Sequence, residues 1–187
     1  MAPSIPTTYA KFTLVLLIAI VVGHSNAEGR RMKETNMVLY LQDWVGGQNV
    51  TATTVAGING TKSGVLSFGT ITVIDHALTI GIDSRSMQVG RAQGIYVGAA
   101  MDGSSLHFLF SIVVTNGQYK GSTLEIQGPD PILVKQREVS VVSGTGMFRY
   151  GKGYVIIERV YFDPITLNAV LKFNVTVRYP VRSDMHK

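Results

Sequence analysis

The chain has 187 residues and a net charge of +5, and it contains no cysteine. The lack of cysteine excludes disulfides, thiol chemistry and thiolate metal sites. The length is enough for one domain with a substantial core. The basic residues are scattered rather than clustered, so the sequence does not predict a phosphate-binding surface or a nucleic-acid partner.

The first 27 residues have the pattern of a secretory signal peptide. Lys11 precedes an apolar run at 12–22, and the triplet Ser25-Asn26-Ala27 offers small residues at the usual cleavage spacing. The run is too short to span a bilayer, and no later segment is suited to do so. We therefore expect residues 1–27 to be removed and residues 28–187 to form one secreted, extracellular domain.

Three N-glycosylation sequons follow in the predicted mature chain. They begin at Asn49, Asn59 and Asn174. Because the chain is expected to be exported, we expect at least one of them to carry a glycan.

Alternation of apolar and polar residues predicts β-strands, and no stretch of the mature chain has a sustained helical period. Predicted strands lie at 37–44, 65–74, a pair within 89–114 joined at Asp102-Gly103, 122–127, 138–142, 154–162 and 169–179. Gly69 is expected to make a bulge or bend, and Asn116-Gly117 predicts a hairpin turn. Segments 45–62 and 75–88 are predicted loops.

About eight strands joined mainly by turns favour an all-β antiparallel sandwich or barrel. We prefer the closed barrel, since it leaves no exposed edges and can hold a ligand.

One predicted strand has an unusual face. Ala92, Gly94, Tyr96 and Gly98 point to the same side, so three small residues surround one phenol. Two interpretations remain open at this point. The glycines allow a neighbouring backbone to approach closely, or the face borders a hollow that Tyr96 lines and an aromatic guest occupies.

Several charged residues are candidates for work in such a hollow. Asp43 continues the apolar face of its strand, so it lies either at a solvated strand end or in a pocket. Asp130 sits in a Pro-rich corner, Arg137 opens the next strand, and Arg91 opens the strand that carries Tyr96. The alternatives are a turn cap for Asp130 and surface ion pairs for the two arginines.

Most enzyme signatures are missing from the sequence. His76, His107 and His186 lack metal-ligand spacing, and there is no nucleophile elbow. The glycines between 144 and 153 do not match a nucleotide-binding loop. We therefore expect no metal and no other cofactor.

Seven segments occur in an order that resembles plant dirigent proteins. They are residues 39–43 (LYLQD), 68–75 (FGTITVID), 89–96 (VGRAQGIY), 121–124 (GSTL), 137–138 (RE), 144–149 (GTGMFR) and 173–177 (FNVTV). The resemblance covers residues 36–179. Gln42 stands where the family usually has His, His76 where it often has a second acid, and Gly151-Lys152-Gly153-Tyr154 where Ala-Arg-Gly-Tyr is common. The lignan-forming members also carry a disulfide. Segments 124–128 and 142–146 are closer to members linked to isoflavonoids, including pterocarpan synthases.

The resemblance implies an eight-stranded antiparallel barrel that forms trimers and has no redox centre. A separate laccase or peroxidase would make phenoxy radicals from a monolignol such as coniferyl alcohol, and the barrel would direct their coupling to one stereoisomer. Matched by motif, Asp43, Asp130 and Arg137 are the candidate catalytic residues, and Tyr96 is a candidate substrate-binding residue. Arg91, at the start of the strand that carries Tyr96, is a second substrate-binding candidate that rests on this position alone. A buried carboxyl would stay protonated and donate a proton to a quinone methide or a leaving hydroxyl.

Three alternatives stay open from the sequence. One is a dehydratase like pterocarpan synthase, which closes an isoflavanol through a quinone methide. Another is a carrier barrel that retains an aromatic metabolite without steering any reaction. The third is a defence-induced wall protein that acts chiefly through its glycans and its basic charge. Whether the chain is an enzyme or an auxiliary protein that only directs stereochemistry is also left open.

Overall fold

The computed structural model describes residues 31–60 and 63–181, and this part of the chain is almost wholly β-structure. The predicted cleavage near Ala27 and His186 lie outside these residues. The strands described there are β1 (Met32–Asp43), β2 (Ala52–Ala56), β3 (Ile71–Thr79), β4 (Gln88–Gly98), β5 (Ser105–Val114), β6 (Thr123–Pro131), β7 (Gln136–Gly144), β8 (Lys152–Phe162) and β9 (Ala169–Pro180). A 3-10 turn at Gly146–Phe148 lies between β7 and β8.

Eight of these strands form a closed antiparallel barrel, which confirms the predicted fold. Hydrogen-bonded neighbours follow the order β1-β9-β8-β7-β6-β5-β4-β3, and β1 also pairs with β3 to close the ring. The closing pair is short, with residues 40–42 opposite residues 77–79. The other half of β3 pairs with β2, which is therefore a ninth strand outside the eight-membered ring. Closure removes the free edges that an open sheet would expose.

The strand predicted at 65–74 was misplaced along the chain. Strand β3 begins only at Ile71 and continues to Thr79, through the first part of the segment predicted as a loop. Gly69 has a φ of +77°, and the Thr70 N–H donates to the Ser67 carbonyl, so the chain turns here instead of bulging within a strand. The segment predicted as a loop at 45–62 likewise contains β2.

One end of the barrel holds a packed cluster of aromatic side chains. The Phe148 ring centroid lies 4.9 Å from that of Tyr119 and 5.2 Å from that of Tyr179. Leu124 and Val177 are fully buried. At the opposite end, where β1 stops at Asp43, the barrel is hollow. The packed end holds the strands in place, and the hollow end is free to bind a ligand.

The last strand shows the predicted alternation. Phe173, Val175 and Val177 are buried, whereas Asn174 is only half-buried on the outer side. Asn49 and Asn59 are exposed in loops. All three sequons are therefore placed away from the packed core, and their glycosylation stays a prediction.

Within residues 31–60 and 63–181, no helix has the length and apolar character to cross a membrane. The same residues contain no cluster of three or more His, Asp or Glu side chains suited to holding a metal ion.

Candidate functional site

A cavity of about 320 Å³ occupies the hollow end of the barrel. Its wall is mostly apolar and includes Phe108 and Phe110, whose ring centroids lie 5.4 Å apart. A mainly apolar pocket with a few convergent polar groups is typical of a small-molecule site. A second cavity of about 280 Å³ has no charged side chain among the described residues that line it. The first cavity is therefore the candidate site, and its titratable lining groups are Asp43, His76, Tyr96, Asp130, Arg137 and Arg159.

The small-residue face of β4 combines a close backbone approach at the glycines with a cavity lined by Tyr96, and occupation of that cavity by an aromatic guest stays a prediction. A Cβ added to Gly98 would lie 2.0 Å from the Ser67 carbonyl oxygen, and one added to Gly94 would lie 2.6 Å from the Phe110 Cα. These glycines therefore permit close approach of neighbouring backbone. Tyr96, between them, lines the cavity.

Asp43 is the last residue of β1, and its side chain points into the cavity. Its Oδ1 atom is fully buried, and the side chain as a whole keeps 20% of its surface accessible. Burial raises the pKa of Asp43 from 3.8 to about 7, and the negative charge of Asp130 adds to this rise. A large share of the carboxyl is therefore protonated at neutral pH, so it is able to donate a proton.

Asp130 and Arg137 form a buried ion pair at the same end of the barrel. Asp130 is the penultimate residue of β6, Arg137 is the second residue of β7, and both side chains are almost completely buried. Asp130 Oδ1 and Arg137 Nε are 2.5 Å apart, although the N–H is not aligned for a hydrogen bond of normal geometry. Burial raises the pKa of Asp130, and the charges of Arg137 and Arg159 oppose that rise. The pair adds a fixed dipole to the cavity wall.

His76 is a cavity residue that was not among the predicted site residues. Its side chain is 2% exposed, and its Nδ1 lies 2.8 Å from Thr51 Oγ1. Its Nε2 lies 3.5 Å from Asp43 Oδ1. Burial lowers the pKa of His76 to about 4, so the ring is neutral at ordinary pH. Extending the alternation of β3 beyond Ile74 would have placed His76 on the inner face, but this segment was predicted as a loop.

Tyr96 contributes the phenol predicted for this cavity. The residue is 5% exposed and stands opposite Thr72 on β3. Burial raises the pKa of Tyr96 far above its ordinary value, and the negative charge of Asp43 adds to the effect. Tyr96 therefore stays a neutral phenol that can donate a hydrogen bond to a ligand oxygen.

Arg91 does not join this group. It is five positions from Tyr96 on the same strand, an odd separation that puts its side chain on the outer face. There its Nε is paired with Asp75 Oδ1. The predicted substrate contact by Arg91 is therefore corrected to an ion pair on the outside of the barrel.

Arg159 is, after His76, the second titratable side chain of the cavity that the sequence did not predict. It belongs to β8, next to a register shift between residues 159 and 161, and its guanidinium carbon lies 4.8 Å from the Phe162 ring centroid. Alternation from the buried Val155 and Ile157 puts Arg159 on the inner face, and the register shift comes only after it. The two-residue period of β8 is therefore the signal that could have found this side chain.

Comparison with known proteins agrees with this architecture. The family profile described as "Dirigent-like protein" matches residues 34–178. The chain belongs to the dirigent family. It is 37% identical over 145 residues to Dirigent protein 21 of Arabidopsis thaliana, covering 78% of this chain and 77% of the relative. It is 33% identical over 146 residues to Pterocarpan synthase 1 of Glycyrrhiza echinata, covering 78% of each chain. A solved pterocarpan synthase dirigent protein superposes with a TM-score of 0.75 and 32% identity, covering 80% of this chain and 97% of the other.

The two single-residue departures from the dirigent pattern lie in different environments. Gln42 is buried on the outer side of β1, where its Nε2 donates to Thr79 Oγ1 at 3.0 Å and to the Ile82 carbonyl at 3.3 Å. His76 faces the cavity. The change at position 42 therefore alters how a loop is held against the barrel, whereas the change at position 76 alters the chemistry of the site.

Proposed function

We propose that this dirigent protein directs the stereochemistry of a phenolic reaction that passes through a quinone methide, and that it has no oxidative centre of its own. The observation that carries this proposal is the buried carboxyl of Asp43, whose pKa burial raises to about 7, in a largely apolar cavity that also holds the phenol of Tyr96. A quinone methide needs protonation of its oxygen and control over which face is attacked. This cavity offers both.

Each polar group has a defined task in the proposal. Asp43 donates the proton, and Tyr96 hydrogen-bonds a substrate oxygen. The Asp130–Arg137 pair supplies a second polar anchor on another side of the cavity. Holding one face toward the nucleophile is an orientation effect. A preference of about 1.4 kcal/mol between two transition states already gives roughly tenfold selectivity.

In its first form, the reaction is the coupling of monolignol radicals such as those of coniferyl alcohol, which a separate laccase or peroxidase generates. The dirigent family membership supports this form. The barrel would bind a radical or the quinone methide that coupling produces, and would fix the face at which the bond closes. The expected products are lignan-type dimers of one handedness.

In its second form, the substrate is an isoflavanol and the product is a pterocarpan-like closed ring. Asp43 gives its proton to the leaving hydroxyl, the carbon–oxygen bond breaks and water leaves, while the substrate phenol passes its proton to solvent and a neutral quinone methide forms. The second phenol then adds to the quinone methide and closes the ring. Its proton returns to Asp43, and the quinone-methide oxygen takes up a proton from solvent, so the acid and the first phenol are both regenerated. Two observations favour this form: the similarity to pterocarpan synthases, and a volume of about 320 Å³, which is near the lower limit for ligand pockets and suits one small phenolic better than two.

The decisive experiment offers two substrates and separates the products by chiral chromatography. Coniferyl alcohol is supplied with a one-electron oxidant, and an isoflavanol is supplied alone. We expect wild type to give an enantiomeric excess with one of the two substrates. In Asp43→Asn and Asp130→Asn we expect this excess to be lost, while circular dichroism shows that the fold is intact. Asp83→Asn and Arg91→Gln are the controls, since both residues lie outside the cavity, and they should keep the excess.

The outcomes of this experiment separate the candidate functions. Unchanged enantiomeric excess in both carboxyl variants would remove Asp43 and Asp130 from the mechanism. Racemic product together with tight retention of the ligand would instead favour the carrier barrel.

We further propose that the protein is secreted, is glycosylated at one or more of Asn49, Asn59 and Asn174, and assembles as a homotrimer. The exposed positions of Asn49 and Asn59 support modification at these two sites. Mass spectrometry of the protein from a plant host, before and after glycosidase treatment, tests cleavage and glycosylation. Light scattering coupled to size-exclusion chromatography tests the trimer, and a monomeric mass would contradict it.

A further inference from the structure

His76 is the cavity residue whose surroundings are the most specific. It is buried, it lies on the inner face of β3, and both of its ring nitrogens have a polar neighbour. Nδ1 lies 2.8 Å from Thr51 Oγ1, and Nε2 lies 3.5 Å from Asp43 Oδ1. A histidine that only filled space would not need a polar atom on each side of the ring.

The hydrogen bonds of Thr51 bear on which ring nitrogen carries the proton. Thr51 Oγ1 accepts from the Trp44 N–H at 3.2 Å, so its own proton is free for another acceptor. Two acceptors are in reach: His76 Nδ1 at 2.8 Å and the Trp44 carbonyl at 3.5 Å. A hydroxyl proton given to the nearer acceptor, Nδ1, makes the better hydrogen bond. This contact allows two tautomers, and in the one on which the inference below rests, Thr51 donates to Nδ1 and the proton of the neutral ring is on Nε2, on the side of Asp43.

The buried Oδ1 atom of Asp43 is the oxygen that the His76 Nε2–H faces. Oδ1 has no hydrogen bond of normal geometry, and its 3.5 Å separation from Nε2 is long for one. Hydrogen bonds at reaction sites often tighten only when the ligand is bound or charge develops. Once Asp43 has lost its proton, the carboxylate would attract the Nε2–H more strongly and shorten the contact.

We infer that His76 is a positioning residue for Asp43. Its Nε2–H is directed at Oδ1, so the acidic proton of Asp43 resides on Oδ2 and the carboxylate left after proton donation gains a hydrogen bond. This inference rests on the proposed role of Asp43 as the proton donor.

Other titratable groups also face Asp43 and affect its titration, so the test must isolate His76. Asp43 shares the cavity with groups from five other strands: His76 on β3, Tyr96 on β4, Asp130 on β6, Arg137 on β7 and Arg159 on β8. Asp75 and Arg91 act on His76 from the outer side of the barrel with opposite effects on its pKa. Single changes at position 76 leave all of these groups in place.

The first measurement needs no substrate. Long-range ¹H–¹⁵N spectra of the full mature chain report the tautomer and charge of each imidazole. We expect His76 to be neutral with its proton on Nε2 between pH 5 and 8. We also expect Thr51→Val to move part of the population to the Nδ1–H form. A wild-type ring that carries its proton on Nδ1, or that is charged in this range, would overturn the inference.

The second measurement follows the titration of Asp43 by ¹³C NMR in two variants. Gln can present an N–H donor in place of Nε2, whereas Leu cannot. In His76→Leu, we expect the midpoint of the Asp43 titration to rise by roughly one to two pH units, because the charged carboxylate no longer accepts a hydrogen bond from position 76. In His76→Gln, we expect it to stay nearer the wild-type value. Equal shifts in the two variants, or no shift in either, would refute a positioning role.

The two proposals fail in different ways. If the tautomer and the Asp43 titration follow expectation but no stereoselective product forms with any phenolic, the proposed function fails and the local role of His76 stands. If product forms stereoselectively but His76→Leu retains the wild-type pH profile and the wild-type Asp43 midpoint, the function stands and the inference fails.

Discussion

The buried carboxyl of Asp43 should make the protein less stable as the pH rises, and replacing it with Asn should remove that effect. Burial raises the pKa of Asp43 from 3.8 to about 7 in the folded state. The folded protein therefore holds this proton more tightly than the unfolded chain does, and stability falls as the pH rises between these two values. The shift spans roughly three units. At about 1.4 kcal/mol per unit, the ionised form costs up to about 4 kcal/mol.

This predicts a specific pair of curves for the free energy of unfolding. At pH 4, wild type and Asp43→Asn should differ little, because both side chains are neutral. Above pH 7, the variant should be more stable by up to about 4 kcal/mol. Urea unfolding at pH 4 to 9 measures this, with the fluorescence of Trp44, the only tryptophan, as the probe.

The control is Asp83→Asn. Asp83 is exposed and paired with Arg85, which lowers its pKa to about 2, so its ionised form is not penalised by burial. The difference in the free energy of unfolding between this variant and wild type should stay constant from pH 4 to 9. If the gap for Asp43→Asn also stays constant, Asp43 is not the buried, protonated acid on which the proposed function depends.

Three further outcomes follow from the packing of the site. Tyr96→Phe should keep the fold and lower stereoselectivity by roughly two- to tenfold, because it removes one neutral hydrogen bond to the substrate. Chiral chromatography of the products measures this. Unchanged selectivity would show that the hydroxyl does not contact the substrate. Arg137→Met should lower the free energy of unfolding by about 3–5 kcal/mol, since Asp130 loses its buried partner. The double variant Arg137→Met with Asp130→Asn should recover part of this loss, because the unpaired carboxylate is gone. A double variant no more stable than the single one would contradict that reasoning. Gly98→Ala should lower the free energy of unfolding by about 1–3 kcal/mol, because the added Cβ would lie 2.0 Å from the Ser67 carbonyl oxygen. Gly64→Ala is the control: the nearest atom to its Cβ would be 3.3 Å away, so its stability should change little. Thermal unfolding measures both.

Alternation along single strands predicted several parts of the site correctly. It put Asp43 on the same face as Leu39 and Leu41, with a solvated strand end or a pocket left open, and Tyr96 on a face with glycines; both side chains line the cavity. The same rule would have excluded Arg91, since its separation from Tyr96 is odd. Proximity to a motif in the sequence does not put a charged side chain in a pocket, because the period of its strand decides which face it occupies.

Other features depended on contacts that no local pattern contains. His76 was not assigned to a face because the predicted strand stopped at Ile74, and only the pairing of β3 with β1 and β4 shows that the strand continues to Thr79. The turn at Gly69 is also held by contacts with β4 that are distant in sequence.

By itself, the sequence determined that the chain is built of antiparallel strands, which side chains share a face, and which family motifs it carries, because these properties depend on neighbours one to four residues apart. Only the tertiary structure decided which face became the interior, and that one end stayed hollow. It also decided that Asp43 and His76, 33 positions apart, meet there. The raised pKa of Asp43 belongs to this second group, since loss of water around a carboxyl exists only once the strands have closed into a barrel around it.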